Sequence, residues 1–285
     1  MPPAGEKNFG ELAQTKKYVS PAQLEECLAL QREEALTQIL PKKIGVILLE
    51  KKYLTLDQHE ELALLLHQTR FPAPLPGLLP ERKLARGKTS TVFLAWDRKA
   101  KRWVAAKLFH RDQGGNAGRD QFLESHRLAA DLRHLNLVRC YRSGVEQGIP
   151  YAVLEYVEGP TLQVCLQQAR RFPAPRALQI CLQLAHAVSY LHRHGLAHLD
   201  LKPENVLVAV DGVLKLTDLG LARKLGSRLP SHASSLIGTP CYLAPELSRP
   251  GAVVDARSDL YSLGIPLFQL VAGEVPFRGR PPAVL

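Results

Sequence analysis

Cysteines are few in this chain, and long apolar runs are absent. The five cysteines are odd in number and show no C-x-x-C spacing, which argues for a reducing compartment and against a zinc site. No apolar run reaches the roughly 18 residues that a membrane helix needs. A signal-peptide pattern and a nucleic-acid-binding motif are also missing. These absences favour a cytoplasmic chain with no membrane segment and no nucleic-acid partner.

Positive charge is in excess, and it is unevenly placed. The 285 residues carry a net charge of +10. Residues 1–70 hold nine Lys and Arg against ten Asp and Glu, so the remainder holds 28 against 17. Such a basic surface suits nucleotide phosphates or an acidic partner, although a solvated basic face explains the count equally well.

Two short apolar stretches, 206–210 and 213–217, are rich in β-branched residues and are separated by Asp211-Gly212. An Asp-Gly pair in this setting predicts a two-residue hairpin loop. Asn205 and Asp218 would then lie opposite each other at the open end of the hairpin, about 5 Å apart. An amide oxygen and a carboxylate at that separation suit Mg²⁺, which takes few protein ligands. A surface hairpin with polar ends is the alternative.

Five motifs in a fixed order favour the metal site. They are Val-Ala-Ala-Lys at 104–107, His-Leu-Asp-Leu-Lys-Pro-Glu-Asn at 198–205, Thr-Asp-Leu-Gly at 217–220, Gly-Thr-Pro-Cys-Tyr-Leu-Ala-Pro-Glu at 238–246 and Ser-Asp-Leu-Tyr-Ser-Leu-Gly at 258–264. Together they resemble eukaryotic-type (Hanks-type) protein serine/threonine kinases of the bacterial kind, over roughly residues 81–279. The resemblance implies an α+β, bilobal kinase fold over 81–285. Its small lobe would be β-rich, and its large lobe mainly helical and C-terminally short.

The resemblance also implies a role for each matching residue. Asp200 would accept or orient the proton of the substrate hydroxyl, and Lys202 would neutralise charge on the transferred phosphoryl group. Asn205 and Asp218 would hold Mg²⁺, and Lys107 would contact the α- and β-phosphates of ATP. The other implied ATP-binding positions are Leu84, Ala85, Gly87, Ser90, Val92, Ala105, Glu124, Leu154, and the backbone of Glu155 and Val157.

Three departures from the family pattern bear on activity. Of the three glycines expected in the phosphate-covering loop at 84–92, only Gly87 is present, which predicts weaker closure over the phosphates. Leu199 replaces the arginine that pairs with a phosphorylated activation loop in many kinases, which argues against that route of activation. Pro266 predicts a kink in the helix expected over 260–272. The serines available on the activation loop are Ser227, Ser231, Ser234 and Ser235.

Glu124 is the candidate partner of Lys107. It lies ten residues before His134, where the family usually shows nine. One residue rotates a helical position by about 100°. Without a bulge Glu124 would therefore face away from Lys107, and a solvated surface glutamate is the alternative.

An internal repeat with an offset of 35 residues marks residues 1–70 as a separate domain. Lys-Lys-Tyr at 16–18 matches 51–53, and each copy reads as a short helix, a turn and a second helix. The second helices would open with capping boxes, Ser20 with Gln23 and Thr55 with Gln58. The pattern resembles the N-terminal domain of type II secretion ATPases, an all-α module, and implies a docking role. A structural appendage that shields the kinase is the alternative.

Residues 71–80 contain four prolines and predict a stiff, extended linker. The sequence as a whole predicts a protein serine/threonine kinase that uses ATP and Mg²⁺, acts on protein substrates and docks a partner through residues 1–70. The alternative is a pseudokinase scaffold that binds partners through the repeat domain. The departures above favour the scaffold, whereas the presence of Lys107, Asp200, Asn205 and Asp218 favours the enzyme.

Overall fold

The computed structural model describes residues 9–37, 42, 44–70, 75–110, 115–229, 240–249 and 251–277. For residues 34–37, 63, 64, 66–70 and 116 it describes the backbone alone. The chain forms two compact units, one made of 1–82 and 95–102, the other of 83–94 and 103–285. The predicted activation-loop positions Ser231, Ser234, Ser235, Gly238 and Thr239 lie outside the described residues.

The described part of the first unit contains four helices: α1 (Phe9–Thr15), α2 (Pro21–Thr37), α3 (Ile44–Glu50) and α4 (Leu56–Arg70). Both capping boxes form. The Ser20 N–H donates to Gln23 Oε1 at 2.8 Å and the Gln23 N–H to Ser20 Oγ at 3.3 Å; the equivalent distances for Thr55 and Gln58 are 2.9 and 3.2 Å. The helices enclose an apolar core of Leu12, Ala13, Val19, Leu24, Cys27, Ile47, Leu48, Leu54 and Leu62.

The two copies of the repeat hold each other through polar contacts, here termed the reciprocal clamps. Lys16 Nζ and the Tyr18 hydroxyl of the first copy donate to Glu61 of the second, at 3.0 and 2.6 Å. The equivalent contacts in the other direction join Lys51 and Tyr53 to Glu26, at 2.9 and 2.7 Å. Each clamp therefore takes its donors from one copy and its acceptor from the other.

The last three residues of the predicted linker, 78–80, belong to a β-strand. Residues 71–74 lie outside the described part of the chain, and Leu75 is buried. Residues 78–80 open strand β1 (Leu78–Arg86). The Arg98 N–H donates to the Gly77 carbonyl at 2.9 Å, which fixes the entry to that strand. The first unit accordingly runs through this segment to residue 82 and includes 95–102.

Strands β1 to β5 pair in the order β1-β2-β3-β5-β4. The other strands are β2 (Ser90–Asp97), β3 (Arg102–Phe109), β4 (Cys140–Glu146) and β5 (Ile149–Glu155), and helix α5 (Gly115–Ala129) follows β3. Strands β3 and β5 are antiparallel, with Ala105 opposite Leu154 and Lys107 opposite Ala152. This register places Lys107 on a central strand opposite the middle of β5, and Val104 opposite Glu155 at the end of β5.

The helical part of the second unit places two short strand pairs beside long helices. Its elements are α6 (Leu162–Ala169), α7 (Ala174–Arg193), β6 (Leu196–Ala197), β7 (Val206–Val208), β8 (Leu214–Leu216), β9 (Arg223–Lys224) and α8 (Ala256–Ala272). Pro266 is buried inside α8, so the proline does not end the helix. Among the described helices, none has both the length and the apolar character needed to cross a membrane.

The β7–β8 hairpin forms, but with a different loop from the predicted one. Val206 pairs with Leu216, and the Ala209 N–H donates to the Val213 carbonyl at 2.9 Å, which leaves a three-residue loop at 210–212. A type I′ two-residue loop needs positive φ at both central residues. Only Gly212 has it, at +82°, so the register moves by one residue. Asn205 consequently faces Thr217, not Asp218 as predicted; the Thr217 N–H donates to the Asn205 carbonyl at 2.8 Å.

Candidate active site

A buried aspartate on α8 supports the loop at 198–205. Asp259 is fully buried, and its carboxylate accepts the backbone N–H groups of His198 and Leu199, both at 2.8 Å. The His192 Nε2–H donates to the same carboxylate at 2.9 Å. Leu199 has φ of +64°, a conformation that costs energy for a side chain with Cβ. These hydrogen bonds hold the strained loop in place.

Leu199 itself is buried and packs in an apolar cluster with Ala197, Leu229, Leu243, Ala244, Leu247 and Val254. The cluster includes Leu229 before, and Leu243 and Ala244 after, the stretch 230–239 that lies outside the described residues. A leucine at position 199 therefore contributes packing where the family pattern has a cation.

The loop delivers Asp200 with its carboxylate already oriented. Lys202 Nζ lies 2.9 Å from Asp200 Oδ1 and 2.8 Å from Oδ2. The Asn205 Nδ2 donates to the Asp200 backbone carbonyl at 2.8 Å and to its Oδ2 at 2.7 Å. Because both N–H bonds of the Asn205 amide are used in this way, its Oδ1 is the atom that can serve as a ligand. The structure thus brings Asp200, Lys202 and Asn205 together.

Asp218 lies beyond the hairpin in a left-handed conformation, with φ of 62° and ψ of 60°. Its Oδ1 pairs with Lys107 Nζ at 2.5 Å and accepts the Gly220 N–H at 3.3 Å. Burial raises the pKa of the Asp218 carboxyl, but the charge and hydrogen bond of Lys107 outweigh burial and hold the pKa well below its ordinary value. Asp218 is therefore an anion at neutral pH. A Cβ on Gly220 would lie 2.9 Å from Asp218 Oδ1. A larger residue at position 220 would therefore require the Asp218 carboxylate to move.

The donor set suits a hard divalent cation. Asp218 offers an ionised carboxylate and Asn205 an amide oxygen, and Mg²⁺ prefers such oxygen ligands. Within the described residues no group of three or more His, Cys, Asp and Glu could hold a metal. A cation at these two residues would complete its coordination with water and phosphate oxygens, as Mg²⁺ commonly does.

The predicted nucleotide-pocket residues divide into an apolar group and a loop. Ala105 and Leu154 belong to the main core, and Leu84 and Val92 pack against it. On the loop, the Gly87 N–H donates to the Ser90 carbonyl at 2.9 Å, which closes the β1–β2 turn. Ser90 is buried, whereas Ala85 and Gly87 are exposed. The four apolar positions therefore belong to one hydrophobic cluster, and their role in adenine binding stays a prediction.

Glu155 connects the end of β5 to the β7–β8 hairpin. Its carboxylate pairs with Lys215 Nζ at 2.9 Å and accepts the Arg139 N–H at 3.1 Å. Its own N–H donates to the Arg139 carbonyl at 2.8 Å, so the Glu155 carbonyl is the backbone group that could meet a nucleotide. Val157, two residues further on, is buried.

Comparison with known proteins agrees with this geometry. The family described as "Protein kinase domain" matches residues 79–283. The chain belongs to the protein kinase family. A probable serine/threonine-protein kinase of Clostridium perfringens is 36% identical over 203 residues, covering 71% of this chain and 30% of that protein. PrkC of Bacillus subtilis is 37% identical over 200 residues, which cover 70% of this chain and 31% of PrkC. PknL of Mycobacterium tuberculosis is 36% identical over 205 residues, which cover 70% of this chain and 50% of PknL.

The match lies in the kinase domain, and the chain spans between about a third and a half of the length of these curated relatives. The sheet β1–β5 with α5 and the mainly helical remainder agree with the bilobal kinase fold. No likeness of residues 1–70 to type II secretion ATPases emerges from these relatives, so that resemblance stays a prediction.

Helix α5 of the kinase domain does not bring Glu124 to Lys107. The Glu124 side chain is exposed, and its charge acts on Arg223, whose pKa burial lowers and Glu124 raises. The buried neighbour is Ser125, nine residues before His134, and its Oγ donates to the Phe122 carbonyl at 3.0 Å. Because α5 contains no bulge that would turn Glu124 inward, the predicted Lys107–Glu124 pair is not formed. Lys107 pairs with Asp218 instead.

Two residues that contribute to the site carry no signal in the sequence that identifies them. Asp259 lies inside the last recognised motif, but nothing in the sequence pairs it with a loop 60 residues away. Gln121 is a polar residue on a helix with many of them, and no spacing rule marks it. Its Nε2 donates to the Gly220 carbonyl at 3.1 Å. Both contacts depend on the folded chain.

We expect buried His126 to make the stability of the kinase domain sensitive to acid. Burial and the nearby Lys107 charge lower its pKa to about 4, against the raising effects of the Phe122 carbonyl and Asp218. The unfolded chain binds a proton near pH 6.5 and the folded chain only near pH 4, so stability falls as the pH drops between these values. We expect the free energy of unfolding to fall by up to about 3 kcal/mol across this window because of His126.

The measurement is urea unfolding at pH 7, 6, 5 and 4 for the unchanged chain and for His126→Gln, which keeps a donor for the Phe122 carbonyl and does not titrate in this range. His186→Gln removes an exposed histidine and serves as the control. The His126→Gln profile should be flatter than both others. Parallel profiles for all three chains would contradict the assignment of the acid sensitivity to His126.

Proposed function

We propose that this chain is a protein serine/threonine kinase, which transfers the γ-phosphoryl group of ATP to hydroxyl groups of protein substrates. The observation that carries the proposal is the Asp200 carboxylate, which is held between Lys202 Nζ and the Asn205 amide. An oriented carboxylate next to oxygen ligands and a lysine matches the requirements of phosphoryl transfer, which depends on positioning and charge.

In the proposed reaction Asp200 accepts the proton of a substrate serine or threonine hydroxyl. The hydroxyl oxygen forms a bond to the γ-phosphorus, and the bond from that phosphorus to the ADP oxygen breaks. Lys202 lies against Asp200, where its charge would stabilise the transferred group, and Lys107 would bind the α- and β-phosphates. Mg²⁺ held by Asn205 and Asp218 would neutralise phosphate charge when bound. Leu84, Val92, Ala105 and Leu154 would cover the adenine ring.

A pseudokinase scaffold is the second candidate, favoured by Ser125 at the position where a glutamate is expected. Residues 1–70 would serve as the docking module in either case. Among their described side chains, no group of His, Cys, Asp and Glu could hold a metal ion. A cytoplasmic location is part of the proposal, supported by five cysteines that are all free.

The proposal predicts that the purified chain transfers labelled γ-phosphate to a generic basic protein in the presence of Mg²⁺. Label should appear on serine and threonine after acid hydrolysis, and EDTA should lower the rate to background because the phosphates lose their counter-ion. A folded chain that binds ATP with Mg²⁺ and transfers nothing would favour the scaffold. Label on tyrosine alone would refute the substrate class.

A further inference from the structure

Gln121, three residues before Glu124 on α5, hydrogen-bonds the segment that begins at Asp218. Its Nε2 donates to the Gly220 carbonyl at 3.1 Å, and its Oε1 accepts from the Arg223 guanidinium. Gly220 follows Asp218 by two residues, and Arg223 lies in β9. One amide therefore joins α5 to two points of the segment that begins at Asp218.

The chemistry of the two partners fixes how the amide is oriented. A guanidinium can only donate hydrogen bonds and a backbone carbonyl can only accept them. The Gln121 oxygen must therefore face Arg223, and its nitrogen must face Gly220. A carboxylate at this position would keep the contact with Arg223 but would set one acceptor against another at Gly220.

The residues of α5 near Lys107 show why the contact of Gln121 with Gly220 matters. The Phe122 ring centre lies 5.9 Å from Lys107 Nζ, Ser125 bonds to the Phe122 carbonyl, and the low pKa of His126 leaves that side chain neutral near pH 7. Along the described part of α5, no carboxylate pairs with Lys107. An ion pair consequently does not tie α5 to the site, and Gln121 is the residue of α5 that hydrogen-bonds the segment after Asp218.

We propose that Gln121 is a positioning residue for the metal-binding segment of this kinase domain. Gly220 is held from both sides, because its carbonyl accepts from Gln121 and its N–H donates to Asp218 Oδ1 at 3.3 Å. A displacement of α5 would therefore move Gly220 and, through the Gly220 N–H, the Asp218 carboxylate. The contact with Arg223 fixes the orientation of the Gln121 amide. The inference rests on the proposed role of Asp218 as a Mg²⁺ ligand.

The experiment is calorimetric titration of the folded chain with ATP, once with Mg²⁺ and once with EDTA. Gln121→Glu keeps the Arg223 contact and loses the Gly220 contact, and Gln121→Met loses both at similar length. Each should weaken ATP binding with Mg²⁺ by about three- to tenfold, the usual worth of one or two hydrogen bonds. Binding in EDTA should change less than about twofold, because the adenine surface is untouched. Arg127→Gln, exposed on the same helix, should leave both affinities unchanged.

Equal weakening with and without Mg²⁺ would indicate a general structural role and overturn the inference. So would variants that bind as the unchanged chain does. If the unchanged chain bound ATP no more tightly with Mg²⁺ than with EDTA, both the proposed metal site and the inference about Gln121 would be refuted. A failure of the proposed kinase activity gives a different result. In that case the unchanged chain binds ATP with Mg²⁺ but transfers no phosphate, which refutes the proposed enzyme and leaves the role of Gln121 standing.

Discussion

Asp200→Asn should lower kcat for phosphoryl transfer by about a thousandfold, within the range expected when a positioned base is removed. Asparagine has the same shape but cannot accept the hydroxyl proton, and it deprives Lys202 of its ion pair. The affinity for ATP with Mg²⁺ should change little, because Lys107, Asn205 and Asp218 remain. The loss should therefore appear in kcat and not in nucleotide binding, measured by initial rates and by calorimetry.

Asp211→Asn is the matched control for this variant. It makes the same chemical change on the exposed β7–β8 loop, and the asparagine oxygen can still accept the Val213 N–H as Asp211 Oδ1 does at 3.0 Å. Its kcat should equal that of the unchanged chain. If Asp200→Asn kept more than about a tenth of the rate, proton transfer to Asp200 would not be part of the mechanism.

Gly159→Ala should produce the largest loss of stability, a fall of at least about 4 kcal/mol in the free energy of unfolding. Gly159 has φ of +148°, and a Cβ there would overlap the Val208 carbonyl oxygen on β7. The backbone cannot move away easily, because the Val208 N–H donates to the Pro160 carbonyl at 2.9 Å. Urea unfolding followed by circular dichroism measures the effect.

Gly212→Ala separates the two causes of that loss. Gly212 also has positive φ, at +82°, but nothing lies within 4 Å of a Cβ built there. Its cost should be about 1 to 2 kcal/mol, from the backbone conformation alone. Similar losses for the two variants would show that the close approach of Gly159 to β7 adds nothing.

The part of the site that could be read from the sequence is the part whose geometry is local. Asp200, Lys202 and Asn205 lie within six consecutive residues, and the structure brings their side chains into contact. The hairpin was predictable, but its register was not, because Asp211 keeps negative φ and the loop gains a residue. A rule for two-residue loops could not anticipate that.

Contacts between distant segments were beyond the sequence. The burial of Ser125 and the exposure of Glu124 depend on how α5 rotates against β4 and β5, which one helical position decides. Asp259 supports a loop 60 residues earlier in the chain, and residues 78–80 of the predicted linker lie in β1, where pairing with β2 contributes to the local structure. In each case the outcome depended on packing partners that local patterns do not name.

The reciprocal clamps give the helical repeat the symmetry of a homodimer within one chain. Each 35-residue copy carries two donors and one acceptor, and each satisfies the other, as in an isologous interface where residue i meets j and j meets i. Tandem duplication of an ancestral gene segment whose product paired with itself would generate this arrangement directly. Joining two such subunits end to end makes their association independent of protein concentration, and it frees each copy to diverge wherever the partner surface is not involved.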